Sequence, residues 1–315
     1  MASSCRRGSL PDPRILIIKF GALGDFIQAA GPFAAIRAHH RESHITLLTT
    51  APFADFARRA PWFDEVWVDS RPKFGDLAAW LQLRRRLRGG KFTRVYDLQT
   101  SDRSSFYFHL LWPGTKPEWS GIARGCSHPH ENPRRDFLHT IERQKEQLAC
   151  AGIAVGAPDF LWVMRGTFSF FLPRPFALLV PGGSPDRPEK RWPIGHYSAL
   201  ATQIANRGMT PVVIGTAAEK SLGNAIASVA PRARDLTGET DLPDLFALAR
   251  EAAVCIGNDT GPMHIAAALS CPTVVLFSAA SDPALCAPRG AHVTVLQRDD
   301  LTKVRLDEVM AAIPA

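Results

Sequence analysis

Short apolar runs alternate with helical patterns through the first half of the chain. Four buried strands are predicted at residues 14–20, 45–49, 66–68 and 93–98. Apolar residues at helical spacing predict helices that end near residue 37 and that span residues 52–59 and 75–88. Strands that alternate with helices in this way are typical of a parallel, doubly wound α/β sheet.

The second half repeats the pattern. Strands are predicted at residues 176–180, 211–215, 234–236, 254–256, 273–277 and 293–296. Helices are predicted at residues 194–207, 218–229, 242–251, 263–269 and 303–313. We therefore expect two Rossmann-like domains that face a central cleft, at residues 1–165 and 166–300. Residues 301–315 would form a last helix that packs back on the first domain.

Three segments lack this alternation. Residues 113–135 are rich in Pro, Gly, Arg and His and predict a mobile excursion, and residues 154–175 predict the crossing between the domains. The first 13 residues carry arginines without an apolar signal-peptide core, and the chain has no apolar run of about 18 residues. These patterns predict a cytoplasmic protein.

One βαβ unit, residues 254–277, contains several candidate binding residues within a single turn. An apolar strand stops at the polar turn 257–261, and Pro262 follows in the first turn of a helix. Free N–H groups at such a helix start, together with the helix dipole, favour a phosphate or diphosphate. Many such turns in α/β proteins bind nothing, but Asp259, Thr260 and His264 crowd this one.

The charge is uneven along the chain. The net charge is +7, and residues 1–150 hold 23 Lys and Arg against 15 Asp and Glu, whereas residues 151–315 hold 14 against 15. The excess indicates an acidic partner for the first half: nucleic acid, an anionic lipid surface or a phosphorylated glycolipid. Basic and aromatic residues do not interleave as in RNA-binding proteins, so nucleic acid is disfavoured.

The six cysteines form no C-x-x-C pair. Cys126, His128 and His130 stand close together, but no second ligand pair with zinc spacing accompanies them. We predict no metal site.

Three blocks of sequence carry a family resemblance. They are I-L-I-I-K-F-G-A-L-G-D-F-I-Q-A-A-G-P from residue 15, the segment from Leu179 that ends in E-K-R-W, and the segment N-D-T-G-P-M-H-I-A-A-A-L to S-D-P from residue 258. In these blocks the chain resembles glycosyltransferase family 9, the lipopolysaccharide heptosyltransferases, which have the GT-B fold. The resemblance implies metal-independent, inverting transfer of a sugar from a nucleotide-diphosphate donor.

The resemblance also assigns roles to individual residues. It implies that Asp25 is the general base. The alternative is that Asp25 only caps the start of the following helix. Lys190 is the candidate cation for the diphosphate, because no D-x-D motif stands in a suitable loop; a surface pair with Glu189 is its alternative. The candidate donor-binding residues are Ser184, Glu219, Asp259, Thr260, Gly261 and His264. The candidate acceptor-binding residues are Arg124 and, at the carboxyl end of the fourth strand where they should face the acceptor, Asp97, Gln99 and Arg103.

The implied substrates are ADP-heptose, with no separate cofactor, and an anionic glycolipid of the lipopolysaccharide core. Such an acceptor implies peripheral contact with the cytoplasmic face of the inner membrane and no nucleic-acid partner. Two alternatives stay open: a nucleotide-sugar epimerase of the same architecture and a non-catalytic sugar-nucleotide-binding protein. The presence of both Asp25 and Lys190 argues against the second.

Overall fold

The computed structural model describes residues 13–163 and 170–314, which form two compact units. The N-terminal unit contains residues 13–21, Ala29–Asp136 and Ile141–Ala157. The C-terminal unit contains Ala22–Gln28, Phe137–Thr140, residues 158–163 and residues 170–314. The predicted boundary at residue 165 lies outside the described residues and stays a prediction.

The N-terminal unit is built on a six-stranded parallel sheet in the order β3-β2-β1-β4-β5-β6. Its strands are β1 (Arg14–Ile18), β2 (His44–Thr49), β3 (Glu65–Val68), β4 (Arg94–Asp97), β5 (Glu118–Gly121) and β6 (His128–Pro129). The helices that follow are α2 (Ala30–His39), α3 (Ala51–Arg59), α4 (Leu77–Gly89), α5 (Asp102–Leu110) and α6 (Thr140–Ala149). The short helix α1 (Leu23–Gln28) comes directly after β1 but is part of the C-terminal unit.

The sequence patterns missed part of this unit. The expectation of a mobile excursion at residues 113–135 is wrong, because the segment contains β5 and β6 of the sheet. Trp119 on β5 is 1% exposed and packs in the same apolar cluster as Leu16 of β1 and Tyr107 of α5. Both strands are very short, so neither shows a readable apolar period. Helix α5 was not predicted either.

The C-terminal unit has a second six-stranded parallel sheet, in the order β12-β11-β10-β7-β8-β9. Its strands are β7 (Phe176–Val180), β8 (Thr210–Val213), β9 (Arg234–Asp235), β10 (Val254–Asn258), β11 (Thr273–Phe277) and β12 (Val293–Gln297). Its helices are α7 (Ile194–Asn206), α8 (Lys220–Val229), α9 (Leu242–Glu251), α10 (Gly261–Ala268), α11 (Pro283–Cys286) and α12 (Leu306–Ala311). Counted from its own first strand, this sheet has the same strand order as the N-terminal one, the order of Rossmann folds. The predicted α/β class with two doubly wound parallel sheets is confirmed.

The last helix belongs to the C-terminal unit. Val309 and Met310 of α12 lie in the apolar core that also contains Trp192 and Leu200. The burial of these two side chains therefore corrects the expectation that the last helix packs back on the first domain.

Two further findings concern the part of the chain that the structure describes. Within it, every helix is too short or too polar to cross a bilayer. Across residues 13–163 and 170–314, no group of three or more His, Cys, Asp or Glu side chains is arranged to hold a metal ion.

Candidate active site

The candidate site lies where β7 and β10 end, side by side in the middle of the C-terminal sheet. Ligands of doubly wound sheets bind at this kind of position, outside the carboxyl ends of the central strands. The loop after β7 is Pro181-Gly182-Gly183, and β10 ends at Asn258, followed by Asp259.

Asn258 is fully buried and ties the loops of the site together. Its Oδ1 accepts hydrogen bonds from the Trp192 backbone N–H at 3.0 Å and from the Tyr197 hydroxyl at 3.1 Å. Its Nδ2 donates to the carbonyls of Pro181 at 2.8 Å and Gly182 at 3.0 Å. One amide therefore fixes both the glycine loop and the segment that carries Lys190.

Lys190 pairs with Asp259 across the end of the sheet. The distance from Lys190 Nζ to Asp259 Oδ2 is 2.8 Å, and the two side chains are 15% and 10% exposed. The Ser281 hydroxyl donates to the same carboxylate oxygen at 2.7 Å. The alternative in which Lys190 pairs with Glu189 at the surface is thus wrong. Because Asp259 holds the ammonium group in place, Lys190 is a fixed cation at the carboxyl end of β10.

Helix α10 begins directly beside this ion pair. Thr260 is its N-cap and has extended backbone geometry, but its side chain forms no capping hydrogen bond among the described residues. Pro262 has no N–H, so Gly261 supplies the free backbone donor of the first turn. An anion placed here would meet the Gly261 N–H, the helix dipole and the Lys190 cation together.

Helix α1 packs closely on α10, and two glycines permit the contact. A Cβ at Gly24 would lie 2.7 Å from Cδ2 of His264, and a Cβ at Gly261 would lie 2.6 Å from Cβ of Leu23. Asp25 stands in the first turn of α1, not at its N-cap. The alternative role of Asp25, as the N-cap of the helix that follows, is therefore wrong. The close packing brings the Asp25 carboxylate into the electrostatic surroundings of His264 and Cys286.

His264 lies under α1 as a neutral side chain at pH 7. Burial lowers the pKa of the imidazole to about 4, against the opposing effect of the nearby Asp259 and Asp25 carboxylates. Its Nδ1 is buried and has no hydrogen-bond partner among the residues that the structure describes. A neutral imidazole can donate from one ring nitrogen and accept at the other.

Glu219 contacts the glycine loop (residues 181–183), and Ser184 follows this loop in the chain. The Glu219 carboxylate accepts from the backbone N–H of Gly183 at 2.9 Å and of Thr216 at 2.7 Å. A Cβ at Gly182 would lie 2.0 Å from Glu219 Oε1, so a larger residue there would displace this carboxylate from the loop. Glu219 thus holds the loop in shape, while Ser184 is exposed at its end.

The acceptor candidates lie in the N-terminal unit, and the structure separates them by exposure. Asp97 is fully buried, and its Oδ1 accepts from the backbone N–H groups of Gln99 and Thr100. Burial raises its pKa to about 6. The expectation that the Asp97 carboxylate faces an acceptor is corrected, because this side chain is closed off inside its own loop.

The other acceptor candidates are more accessible. Gln99 is half-buried and accepts the Phe20 N–H at 2.8 Å, and Arg103 donates to the Pro72 carbonyl. Arg124 is exposed. The roles of these three side chains stay predictions.

Two residues of the site lie inside the motif blocks, and neither was predicted to have a role there. Asn258 precedes the D-T-G triplet, and Ser281 precedes Asp282-Pro283. Their neighbours along the chain give no sign of their partners, which come from residues 22 to 77 positions away. The only signal was that both stand inside the blocks that carry the family resemblance.

The fold is that of a two-unit, Rossmann-type protein, and its candidate anion site lies at the end of the second sheet. The family model of glycosyltransferase family 9 (heptosyltransferase) matches residues 80–309. The chain belongs to this family.

Individual heptosyltransferases are also similar to this chain. Lipopolysaccharide heptosyltransferase 2 of Escherichia coli K12 is 36% identical over 300 residues, which cover 85% of this chain and 83% of that protein. The structure of E. coli ADP-heptose lps heptosyltransferase II matches with a TM-score of 0.75 and 22% identity, over 95% of this chain and 98% of that one. The structure of E. coli heptosyltransferase WaaC with ADP also has a TM-score of 0.75, at 18% identity and the same coverage. The last two likenesses show the shared fold.

Proposed function

We propose that the chain transfers a heptose from ADP-heptose to an acceptor of the lipopolysaccharide core. The observation that carries the proposal is the grouping of Lys190, Asp259, the start of α10 and Asp25 around one strand end. Family membership supports the glycosyl-transfer chemistry. The names of the relatives support the particular donor and acceptor.

In the proposed reaction the diphosphate of the donor lies at the start of α10. The Lys190 ammonium and the Gly261 N–H offset the negative charge that develops on the diphosphate as the bond to the sugar breaks. Asp259 keeps the ammonium in position. Glu219, already at the glycine loop, is the proposed contact for the donor ribose, with Ser184, Thr260 and His264 as further donor contacts.

Asp25 is the proposed base on the acceptor side. The acceptor oxygen forms a bond to the anomeric carbon, the bond from that carbon to the diphosphate oxygen breaks, and Asp25 takes the hydroxyl proton. ADP leaves with the electron pair. Because the displacement occurs in one step from the opposite face, the anomeric configuration inverts. No metal is required in this scheme.

Gln99, Arg103 and Arg124 are the proposed contacts for an anionic acceptor, since guanidinium groups bind carboxylates and phosphates well. Asp97 would act on this site only by shaping the loop that carries Gln99. A lipid-anchored acceptor further implies a cytoplasmic location with peripheral contact at the inner membrane.

The substitution Asp25→Asn tests the proposal. We expect kcat to fall at least about 100-fold, because a positioned base is worth that much, while the dissociation constant for ADP stays the same. Asp102→Asn is the matched control, because Asp102 occupies the first turn of α5 as Asp25 occupies that of α1. Product analysis by mass spectrometry and calorimetry with ADP are the measurements.

Wild-type turnover in Asp25→Asn would contradict the assignment of the base. If the wild-type protein instead rearranged the donor sugar without any acceptor, an epimerase would replace the transferase.

A further inference from the structure

The N-terminal unit exposes a group of large apolar side chains. Phe74 is 102% exposed, Leu77 71% and Trp112 68%, and Leu81 and Phe106 are 43% and 46% exposed. Single exposed apolar residues are common, but several together mark an interaction site. Whether these five belong together depends on their neighbours.

Trp80 and Arg84 of α4 join these side chains into one surface. Trp80 Nε1 donates to the carbonyl of Lys73 at 3.0 Å, and its ring stands edge-on to Phe106 with 5.2 Å between centroids. Arg84 Nη2 donates to the carbonyl of Trp112 at 3.3 Å. The loop before α4, the exposed side of α4 and the region around the end of α5 are therefore continuous.

Helix α4 has two distinct sides. Leu83 and Leu87 are buried against the sheet. Leu77, Leu81 and Arg85 follow one another at intervals of four residues and so lie along the opposite side. The exposed side thus begins apolar and becomes cationic towards the end of the helix.

Cations border the apolar residues. Arg71, Lys73, Arg85 and Arg88 are exposed, and none of them forms an ion pair within residues 13–163 and 170–314. Asp76 is the carboxylate between them, and it is engaged as the N-cap of α4. We call these four cations together with Phe74, Leu77, Leu81, Phe106 and Trp112 the α4 surface.

We propose that the α4 surface docks on an anionic phospholipid bilayer, with its apolar side chains in the interface and its cations at the lipid phosphates. This combination of apolar area and basic charge is what binds proteins to anionic membrane surfaces. The inference deepens the proposed function by naming the surface that would hold the enzyme beside a lipid-anchored acceptor.

Charge argues for a bilayer over a second copy of the chain. Two copies joined through this surface would place their unpaired cations against each other, which costs free energy. An anionic bilayer offers an apolar interior and negative headgroups at once. The excess of 23 Lys and Arg over 15 Asp and Glu in residues 1–150 adds to the attraction.

Co-sedimentation of the full chain with vesicles tests the proposal. The vesicles contain phosphatidylglycerol and phosphatidylethanolamine, and phosphatidylcholine vesicles are the neutral comparison. We expect Arg85→Gln with Arg88→Gln to weaken binding on the order of 20-fold at low salt, since each basic residue contributes about fivefold. Phe74→Ser with Leu81→Ser should weaken it at least about tenfold. Salt should reduce the effect of the arginine pair and spare that of the apolar pair.

The matched control is Arg234→Gln with Lys303→Gln, which removes two exposed cations from the C-terminal unit. This variant should bind as the wild type does. All the substituted side chains are exposed, and circular dichroism checks that each variant folds.

Three outcomes would overturn the inference: no binding of wild type to anionic vesicles, equal loss in the control, or unchanged binding in both test variants. Loss of self-association in the test variants, seen by sedimentation velocity, with vesicle binding intact would assign the surface to a second copy. Transfer to a delipidated, soluble acceptor separates the two proposals. If transfer is normal and vesicle binding is absent, the inference alone fails, and if binding is normal and transfer is absent, the proposed function alone fails.

Discussion

The two units have the same strand order, yet the middle of each sheet ends differently. In the N-terminal unit Asp97 at the end of β4 is fully buried, and Lys19 after β1 is 4% exposed. In the C-terminal unit Asn258 takes the buried position at the end of β10, while the charged residues Asp259 and Lys190 lie beside it with 10% and 15% exposure.

This difference shows how the same fold can bury one strand end completely and leave charged side chains partly exposed at the other. Gln147 Nε2 donates to the Asp97 carbonyl at 3.0 Å, and Lys19 Nζ donates to the Leu98 carbonyl at 3.2 Å, so side chains of the N-terminal unit fill its own strand end. In the C-terminal unit the neutral amide of Asn258 occupies the buried position at the strand end. The charges are then left partly accessible to a ligand.

The largest expected effect comes from Asn258→Asp. The amide Nδ2 donates to two carbonyls, and a carboxylate there would lose both bonds and face two acceptors while buried. We expect the free energy of unfolding to fall by about 3–5 kcal/mol at pH 7. Urea denaturation measures it.

The loss of stability in Asn258→Asp should be smaller at low pH, because a protonated carboxyl can donate to one of the two carbonyls. A loss below about 1 kcal/mol at pH 7 would mean that the glycine loop does not depend on this amide.

The reverse exchange, Asp97→Asn, should increase the free energy of unfolding instead of lowering it. The pKa of Asp97 is raised from 3.8 to about 6 by burial, so its contribution to stability is full below pH 3.8 and is lost as the pH rises through about 6. An amide oxygen can still accept the N–H groups of Gln99 and Thr100. Between these pH values the variant should therefore gain up to about 3 kcal/mol relative to wild type.

Melting temperatures of both proteins measured from pH 4 to pH 8 test this slope. The difference between the two proteins isolates Asp97 from His40, whose pKa is lowered to about 4 by burial and which titrates in both. A difference that stays constant with pH would show that Asp97 keeps its ordinary pKa.

The smallest expected effect is that of Gly24→Ala on the contact between α1 and α10. Alanine usually favours a helix, but here its Cβ would lie 2.7 Å from the buried His264 ring. Overpacking should cost about 1–3 kcal/mol. Thermal denaturation measures the change.

Gly195→Ala in α7 is the control, because a Cβ there meets no atom of the described residues within 4 Å. That variant should be neutral or more stable by up to about 1 kcal/mol. Equal effects of the two substitutions would mean that α1 adjusts freely.

Apolar runs alone determined most of the strands, because a buried parallel strand needs a continuous apolar segment. They determined the α/β class and the strand-turn-helix of residues 254–277, and the motif blocks indicated the family. They failed at β5 and β6, where strands of four and two residues are held by pairing with neighbours and not by their own pattern.

Only the tertiary structure decided which side chains meet. Lys190 finds Asp259, 69 positions away, and Asn258 holds Pro181, 77 positions away, because parallel strands bring their ends together. Asp97 is likewise buried by residues that are distant in the sequence and that the fold brings to the same strand end. A sequence specifies which segments are buried, but the partner of a polar side chain depends on the order of the strands, which local patterns do not contain.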